Sequence, residues 1–571
     1  MQSSWPIYCT MILTSLGVSE SEVLGQDSPN PVGPTEEILS RIQPETLHGH
    51  IQFLADDLLE GRGPGSTGDA ITQLYLETQF KIHGLQPIPG SQAYRQTVPM
   101  LGMSSQPEAT WRFRSTDSAK KDLALELKYF DDYIAVAGKP EKKIVVEDRE
   151  LVFVGYGIQA PEYQWDDFKG VDLRGKILVM MNNDPERDPD LFAGSRRLYY
   201  GRWDYKYESA ARQGAAGAII IHTTPSAGYP FTVIQTSWTG EQFELRDSTE
   251  PRIDMKAWVT DDAARSIVAL AGKDLDELRE AAESRDFKPV PLGLTLTTHI
   301  QAEARERITA NVLGFLPGSD PTVADEYVIF MAHHDHIGIA VDRDENGDNI
   351  YNGAVDNASG TASLLAILQA ITNSNARPRR SLMFAAVGAE EQGLLGSKYL
   401  AENPVVPNGK LAALVNMDGI NFLGPTRDVQ VIGLGKSSMD ALVEAAASKQ
   451  NRRVVGDLEP SKGYYYRSDQ FSLAKVGVPA VYLHVGHAVR GKPDGWGKEQ
   501  LQAWTDKHYH QRSDEYDPQW DLSGAVEDTR LLTEVGLAAA NAQEMQAWIP
   551  GDEFEAARKQ AIQAAKSAAR R

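Results

Sequence analysis

From Thr309 onward, short apolar runs alternate with longer amphipathic stretches. The runs at 327–332, 381–387, 411–417, 428–432 and 480–483 predict strands, and the 3.6-residue periodicity at 359–372, 392–402, 437–449 and 468–476 predicts helices. A long periodic stretch at 525–548 predicts a closing helix. Strict alternation of strand and helix indicates an α/β fold, a mainly parallel mixed sheet flanked by helices. His333, Glu390, Glu391 and Asp418 all fall just past the carboxyl ends of predicted strands, where open α/β sheets place their ligand sites.

Upstream the pattern differs. Residues 36–59 show helical spacing through Ile38, Leu39, Ile42, Leu47, Ile51, Leu54 and Leu58, and a second helix is expected over 70–83, stopping at Gly84. The glycine-rich stretch 60–68 between them has neither the Lys-Ser/Thr pair nor the preceding strand of a phosphate loop. From about 127 to 302 the texture turns to short strands and turns, with strand-like runs at 151–158, 175–181 and 218–222 and a helix from Lys206 to Arg212. His222 stands alone there and reads as a core or edge histidine. The pattern divides the chain into an N-terminal helical segment (35–126), an inserted module (127–302), a catalytic-type domain (303–550) and a C-terminal helical tail (551–571).

The apolar stretch 6–18 suits the core of a signal peptide and is followed by polar, Pro-rich sequence, so residues 1–25 are expected to direct export to a secreted or periplasmic location. Cys9, the only cysteine, lies inside this leader, which leaves a mature chain without a thiol nucleophile or a disulfide. No apolar run reaches bilayer-spanning length. The formal net charge of -22 over 571 residues, with no compensating basic patch, argues against nucleic acid as a partner. Lys559, Lys566, Arg570 and Arg571 are interleaved with alanine and suit a solvated terminal helix.

Five segments carry metal-type side chains in the order His, Asp, Glu-Glu, Asp, His. They are His333-His334-Asp335-His336, Asp356-Asn357, Glu390-Glu391, Asp418 and His508-Tyr509-His510. Imidazoles and carboxylates together suit a pair of zinc ions sharing one carboxylate. Adjacent glutamates cannot easily face one metal, so one of Glu390 and Glu391 should ligate while the other serves as a general base. Asp335, two residues beyond His333, is placed to accept the second ring proton of that histidine.

The set resembles the co-catalytic zinc aminopeptidase family that also includes glutamate carboxypeptidase, the transferrin receptor and glutaminyl cyclase. The resemblance rests on His333-His334-Asp335, Asp356-Asn357-Ala358-Ser359-Gly360, Glu390-Glu391, Asp418, and Tyr509-His510 with Asp514, and spans most of 305–550. It implies a zinc exopeptidase fold with two zinc ions. His333, Asp356 and Asp418 would hold one ion and Asp356, Glu391 and His510 the other, with Glu390 as the base. It also implies a cis peptide at Asp356–Asn357, and it selects His510 over His484, His487 and His508. The 154–158, 172–177 and 210–217 stretches resemble a protease-associated domain, and 54–62 resembles the family's leading helices.

The implied activity is removal of N-terminal residues from peptides. A dipeptide carboxypeptidase or a glutaminyl cyclase would use similar ligands, although the inserted module disfavours the cyclase. A receptor-like binding protein would be expected to have lost ligands, and none is missing. Three details remain as expectations. The acidic stretch 342–349 lacks the closing glutamate of a calcium loop and reads as solvated. Asp469 reads as a helix cap. Among Tyr464, Tyr465 and Tyr466, Tyr466 is the candidate for contacting the tetrahedral intermediate.

Overall fold

The computed structural model describes residues 34–117, 124–340, 342–344, 346–374 and 377–568. The expected leader at 1–25, Cys9 included, lies outside the described residues. Among the described residues no helix is long and apolar enough to cross a membrane.

Alternation along the strands assigns two faces to the C-terminal sheet. In the Tyr327–His333 strand, Val328, Phe330 and Ala332 enter one core, while Ile329 and Met331 enter the other. Helices Pro44–Leu54, Ser359–Thr372, Met439–Lys449 and Ser523–Asn541 cover the first face. Leu400 and Leu473, from helices Leu395–Glu402 and Gln470–Lys475, cover the second. Across the sheet the order runs Arg453–Val455, Asp428–Val431, Ala480–His484, Leu411–Asn416, Tyr327–His333, Ser381–Val387 and then the end of the Val290–Leu316 strand. Pairing is parallel at its centre and antiparallel where Asp428–Val431 meets Ala480–His484 and where Val312–Leu316 meets Ser381–Val387. This is the mixed, mainly parallel sheet that the strand–helix alternation predicts.

Val290–Leu316 is a single strand of 27 residues that belongs to both halves of the molecule. Its first part pairs with Lys143–Phe153 and Thr110–Ser115, its middle with Arg95–Pro107, and its end with Ser381–Val387. Beyond Lys143–Phe153 the sheet continues through Ile177–Met181, Gly217–His222, Met255–Thr260 and Tyr133–Ala137. These strands carry their own cores, one around Trp111, Tyr133 and Phe153 and one around Leu178, Ile220 and Trp258.

Three boundaries differ from the sequence expectation. The helical pattern at 36–59 divides into Pro34–Ser40 and Pro44–Leu54 because Pro44, with no N–H to give, starts a helix rather than continuing one. The segment 35–126 is helical only as far as Ile82, since Arg95–Pro107 and Thr110–Ser115 are strands. Trp111 and Phe113 are buried in the core of the inserted module. The closing helix ends at Asn541, where the N–H of Arg380 and the Arg379 guanidinium take the carbonyls of Ala540 and Ala542.

Gly536 on that closing helix sits against the sheet, and a Cβ there would stand 2.2 Å from Phe330 Cζ. Alanine gains about 1 kcal/mol of helix propensity over glycine, whereas overpacking a core costs about 1–3 kcal/mol. Gly536→Ala is therefore expected to lower the thermal unfolding midpoint measured by calorimetry. A raised midpoint would mean that Phe330 moves aside at no cost.

Candidate metal centre

Three neighbouring strands end on one edge. His333 closes its strand, Asp418 lies two residues past Leu411–Asn416, and Glu390 and Glu391 lie in the turn after Ser381–Val387. That turn passes through left-handed Ala389 and Leu394, so the helix starts only at Leu395 and the two glutamates face the edge rather than cap a helix. Asp356 stands in the turn before Ser359–Thr372, and the Asp356–Asn357 peptide is cis. Asn357 ties this turn to the Asp418 loop: its Oδ1 accepts the N–H of Gly360 and Gly419, and its Nδ2 donates to Met417 O at 3.0 Å. His510 follows the Trp496–Lys507 helix at φ 56°.

The two oxygens of Asp356 face different imidazoles. Oδ1 lies 3.3 Å from His333 Nε2 and Oδ2 lies 3.4 Å from His510 Nε2. Asp418 Oδ1 is 3.4 Å from His333 Nε2, and Glu391 Oε2 is 3.0 Å from His510 Nε2. Two donors each about 2.0–2.2 Å from one tetrahedral zinc stand about 3.3 Å apart, so these separations suit shared coordination. His510 Nε2 is buried and makes no hydrogen bond despite its carboxylate neighbours, as expected of a lone pair aimed between them rather than at either. The donor set therefore fits a pair of zinc-type cations.

Glu390 sits beside this array with Oε2 3.9 Å from His333 Nε2. Burial holds its pKa well above the usual carboxylate range; His333 pulls it down, but Glu391 and Asp418 add to the rise. Glu391 is held down at about 2: burial and Asp356 oppose its charge, and His510 and His336 favour it. Burial opposes a charge on His333, yet Glu390, Asp335, Asp356 and Asp418 raise its pKa well above normal.

The surrounding side chains sort the remaining candidates. Asp335 stands beside the expected histidine: His333 Nδ1 lies 3.3 Å from the Asp335 carbonyl and 3.7 Å from its carboxylate, which also accepts the N–H of Glu390 at 3.1 Å. The main-chain oxygen is simply the nearer acceptor. His334 turns away to Asp69 Oδ1 at 3.1 Å. His336 gives its Nδ1 to Glu391 Oε1 at 2.6 Å; with Asp356 and Glu391 it forms a second cluster of metal-ligand type. His484 bonds Tyr482 Oη and His508 bonds Ser513.

Asp469 stands at the N-cap of Gln470–Lys475 but makes no cap bond, because its carboxylate turns inward. There burial, opposed by His333, pushes its pKa up to about 7. The 464–466 turn fans three tyrosines apart. Tyr464 lines the cavity above the centre, whereas the Tyr466 hydroxyl points away and bonds Glu553 at 2.9 Å. In the acidic stretch, Asp342 pairs with Arg512 at 3.1 Å.

Four further residues support the site. Arg62 is buried, and its guanidinium bonds the carbonyls of Leu54, His334, Asn352 and Gly353, holding both ligand loops. Asp514 accepts the N–H groups of Val355 at 2.9 Å and Asp356 at 3.1 Å, and burial raises its pKa to about 7. Ser237, from the inserted module, bonds His510 Nδ1 at 2.7 Å. Tyr229, also from that module, lines the cavity with Asp356, Glu390 and Asp418. Only Asp514 and Arg62 fall in recognisable motifs, and a motif does not reveal which backbone a side chain will hold.

Residues 311–533 match the family model described as Peptidase family M28. The aminopeptidase NAALADL1 of Mus musculus is 35% identical over 145 residues, 24% of this chain and 17% of that protein. Leupeptin-inactivating enzyme 1 of Streptomyces exfoliatus is 27% identical over 223 residues, 38% of this chain and 46% of its own length. The chain thus spans less than half the length of these curated relatives. The solved aminopeptidase from Aneurinibacillus sp. strain AM-1 shares the fold, with a TM-score of 0.52 at 19% identity over 90% of this chain and 97% of that one. The 311–533 span that matches the Peptidase family M28 model contains the ligand-type residues His333, Asp356, Glu390, Glu391, Asp418 and His510.

Proposed function

We propose that this protein is a dizinc exopeptidase that removes N-terminal residues from peptides. The observation that carries the reading is Asp356, whose two oxygens each face a separate imidazole and so suit a bridge between two cations. His333 and Asp418 would complete one site, and Glu391 and His510 the other. Two zinc ions, when bound, would supply Lewis acidity to the attacking water and the scissile carbonyl.

The remaining steps belong to the chain. Glu390, raised in pKa and beside the array, takes the proton of the attacking water and returns it to the leaving amine. The carboxylates of the cavity lining favour the substrate's free α-amino group. Tyr464, rather than Tyr466, is the tyrosine of its turn placed to meet the substrate. His510 is the closing ligand of the second site, while His336, spending its Nδ1 on Glu391, orients that carboxylate. The inserted module at 127–302 acts as a protease-associated domain that completes the cavity, and the 1–25 leader exports the chain.

Glu390→Gln should keep two zinc equivalents by atomic absorption while kcat on a free aminoacyl peptide falls by about 10²–10⁴-fold. Retained turnover would remove Glu390 from the base role. N-acetylated peptides should resist cleavage, and their preferential hydrolysis would contradict the aminopeptidase reading.

His510→Ala should lose one zinc equivalent, whereas His336→Gln should keep both with affinity lowered about 10–100-fold, the effect typical of a ligand's supporting bond. The opposite pattern would exchange the two roles.

Arg62→Lys keeps the charge but cannot reach four carbonyls at once. Each buried carbonyl left unpaired costs about 1–3 kcal/mol, so the variant should unfold at lower denaturant and bind zinc more weakly. Unchanged zinc affinity would separate Arg62 from the site.

A further inference from the structure

The lining of the cavity at the metal centre carries charges of both signs, Asp356, Glu390, Glu391 and Asp418 with Arg467 and Lys462. Lys462 is already paired with Glu459 at 2.9 Å. Arg467 is not paired: among the described residues no carboxylate comes within 4.0 Å of its guanidinium. Its two hydrogen bonds are long, Nη1 to Ala227 O and Nη2 to Tyr509 Oη, both at 3.4 Å.

Other arginines drawn into the interior are satisfied by an acidic partner, Arg380 by Glu326 and Arg452 by Asp528, or by close carbonyls, as Arg62 is. What Arg467 has instead is an aromatic clamp, with its guanidinium 5.2 Å from the Tyr229 ring centre and 5.5 Å from that of Tyr464. Ring faces hold a guanidinium in place without using its in-plane N–H donors. A planar fork with free donors is matched by a carboxylate, which it binds through two parallel charge-assisted bonds. His484, in the same lining, does not compete: burial, then Arg467 and Lys462, hold its pKa down at about 3, so it is neutral.

Resting on the peptidase reading above, we infer that Arg467 is a specificity residue that binds a substrate carboxylate, so that the favoured substrates are short peptides carrying a carboxylate close to the scissile bond. The amine then lies by the lining carboxylates and the substrate carboxylate against Arg467, within one cavity. Because Tyr229 comes from the inserted module, the subsite is composite, and that module takes part in substrate choice.

The carboxylate has two sources, the C-terminus of a dipeptide or an acidic side chain in the residue after the cleaved bond. The zinc-loaded full chain is assayed for kcat/KM on four substrates: Leu-Gly, Leu-Gly-NH2, Leu-Glu-NH2 and Leu-Gln-NH2. A preference of about tenfold or more, the worth of one charge-assisted pair, is expected for Leu-Gly over its amide if the C-terminus is read. The same preference for Leu-Glu-NH2 over Leu-Gln-NH2 is expected if the side chain is read. Arg467→Met should collapse the operative ratio toward one, and Arg467→Lys should restore part of it; each ratio is internal to one protein, so partial misfolding does not move it. Hydrolysis of all four substrates at equal efficiency, or a ratio that survives Arg467→Met, overturns this inference and leaves the peptidase reading standing. Hydrolysis of none overturns both.

Discussion

The concentration of buried negative charge around Asp356 is the constraint on which the rest of the structure depends. Asp335, Asp469 and Asp514 are at most 1% exposed and Glu390 is 9% exposed, with Asp356, Glu391 and Asp418 among them. Arg62, driven into this cluster, gives its hydrogen bonds to main-chain carbonyls rather than to carboxylates. Buried charges persist when they are paired or coordinate metal, and the imidazoles present are too few to balance the carboxylates one for one. Divalent cations answer that imbalance directly. The raised pKa values of Glu390, Asp469 and Asp514 mark where the protein alone leaves the charge most poorly compensated.

Holding such groups close together requires that their backbones be fixed from outside the cluster. Asp514 takes the two N–H groups of the 355–356 turn, Asn357 bonds on to the Asp418 loop, and Arg62 spans both the His334 and Gly353 carbonyls. These supports come from distant parts of the sequence: the leading helices, the first turn after a strand, and the segment before the closing helix. The site is therefore a point where three separately coded segments meet, with the parallel strand ends supplying the platform.

The sequence carries the platform well and the supports poorly. Strand positions at 327–332 and 381–387 and the helix at 359–372 are legible because burial on both faces produces unbroken apolar runs and regular helical spacing. The ligand-type residues are legible because their chemistry is rare at strand ends and their order along the chain matches a known family. The failures share a cause, which is that they concern direction rather than position. Tyr466 and Tyr464 are equivalent in sequence, yet a tight turn sends one to Glu553 and the other to the cavity. Asp335 has the spacing to serve His333, yet its main-chain oxygen stands nearer that ring nitrogen than its carboxylate does. Asp469 has the correct position for a cap but turns inward. The segment 95–117 is misread for a different reason: its strands exist only because a partner 200 residues away, Val290–Leu316, offers them an edge.

That same strand explains how a module inserted in sequence can contribute to a site built elsewhere. Val290–Leu316 runs without a break from the module's sheet into the sheet that bears the ligands, and it is paired along nearly its whole length. A flexible linker would leave the module free to sample many orientations, whereas a shared hydrogen-bonded strand gives it one. Ser237 can then meet His510 Nδ1, and Tyr229 can meet Arg467, at fixed distances. The Ser237 bond also sets the function of the opposite ring nitrogen, since a histidine whose Nδ1 is engaged presents Nε2 to the carboxylates. The 127–302 segment is thus tied by its geometry to the orientation of His510, and its contacts reach the centre of the site as well as the cavity wall.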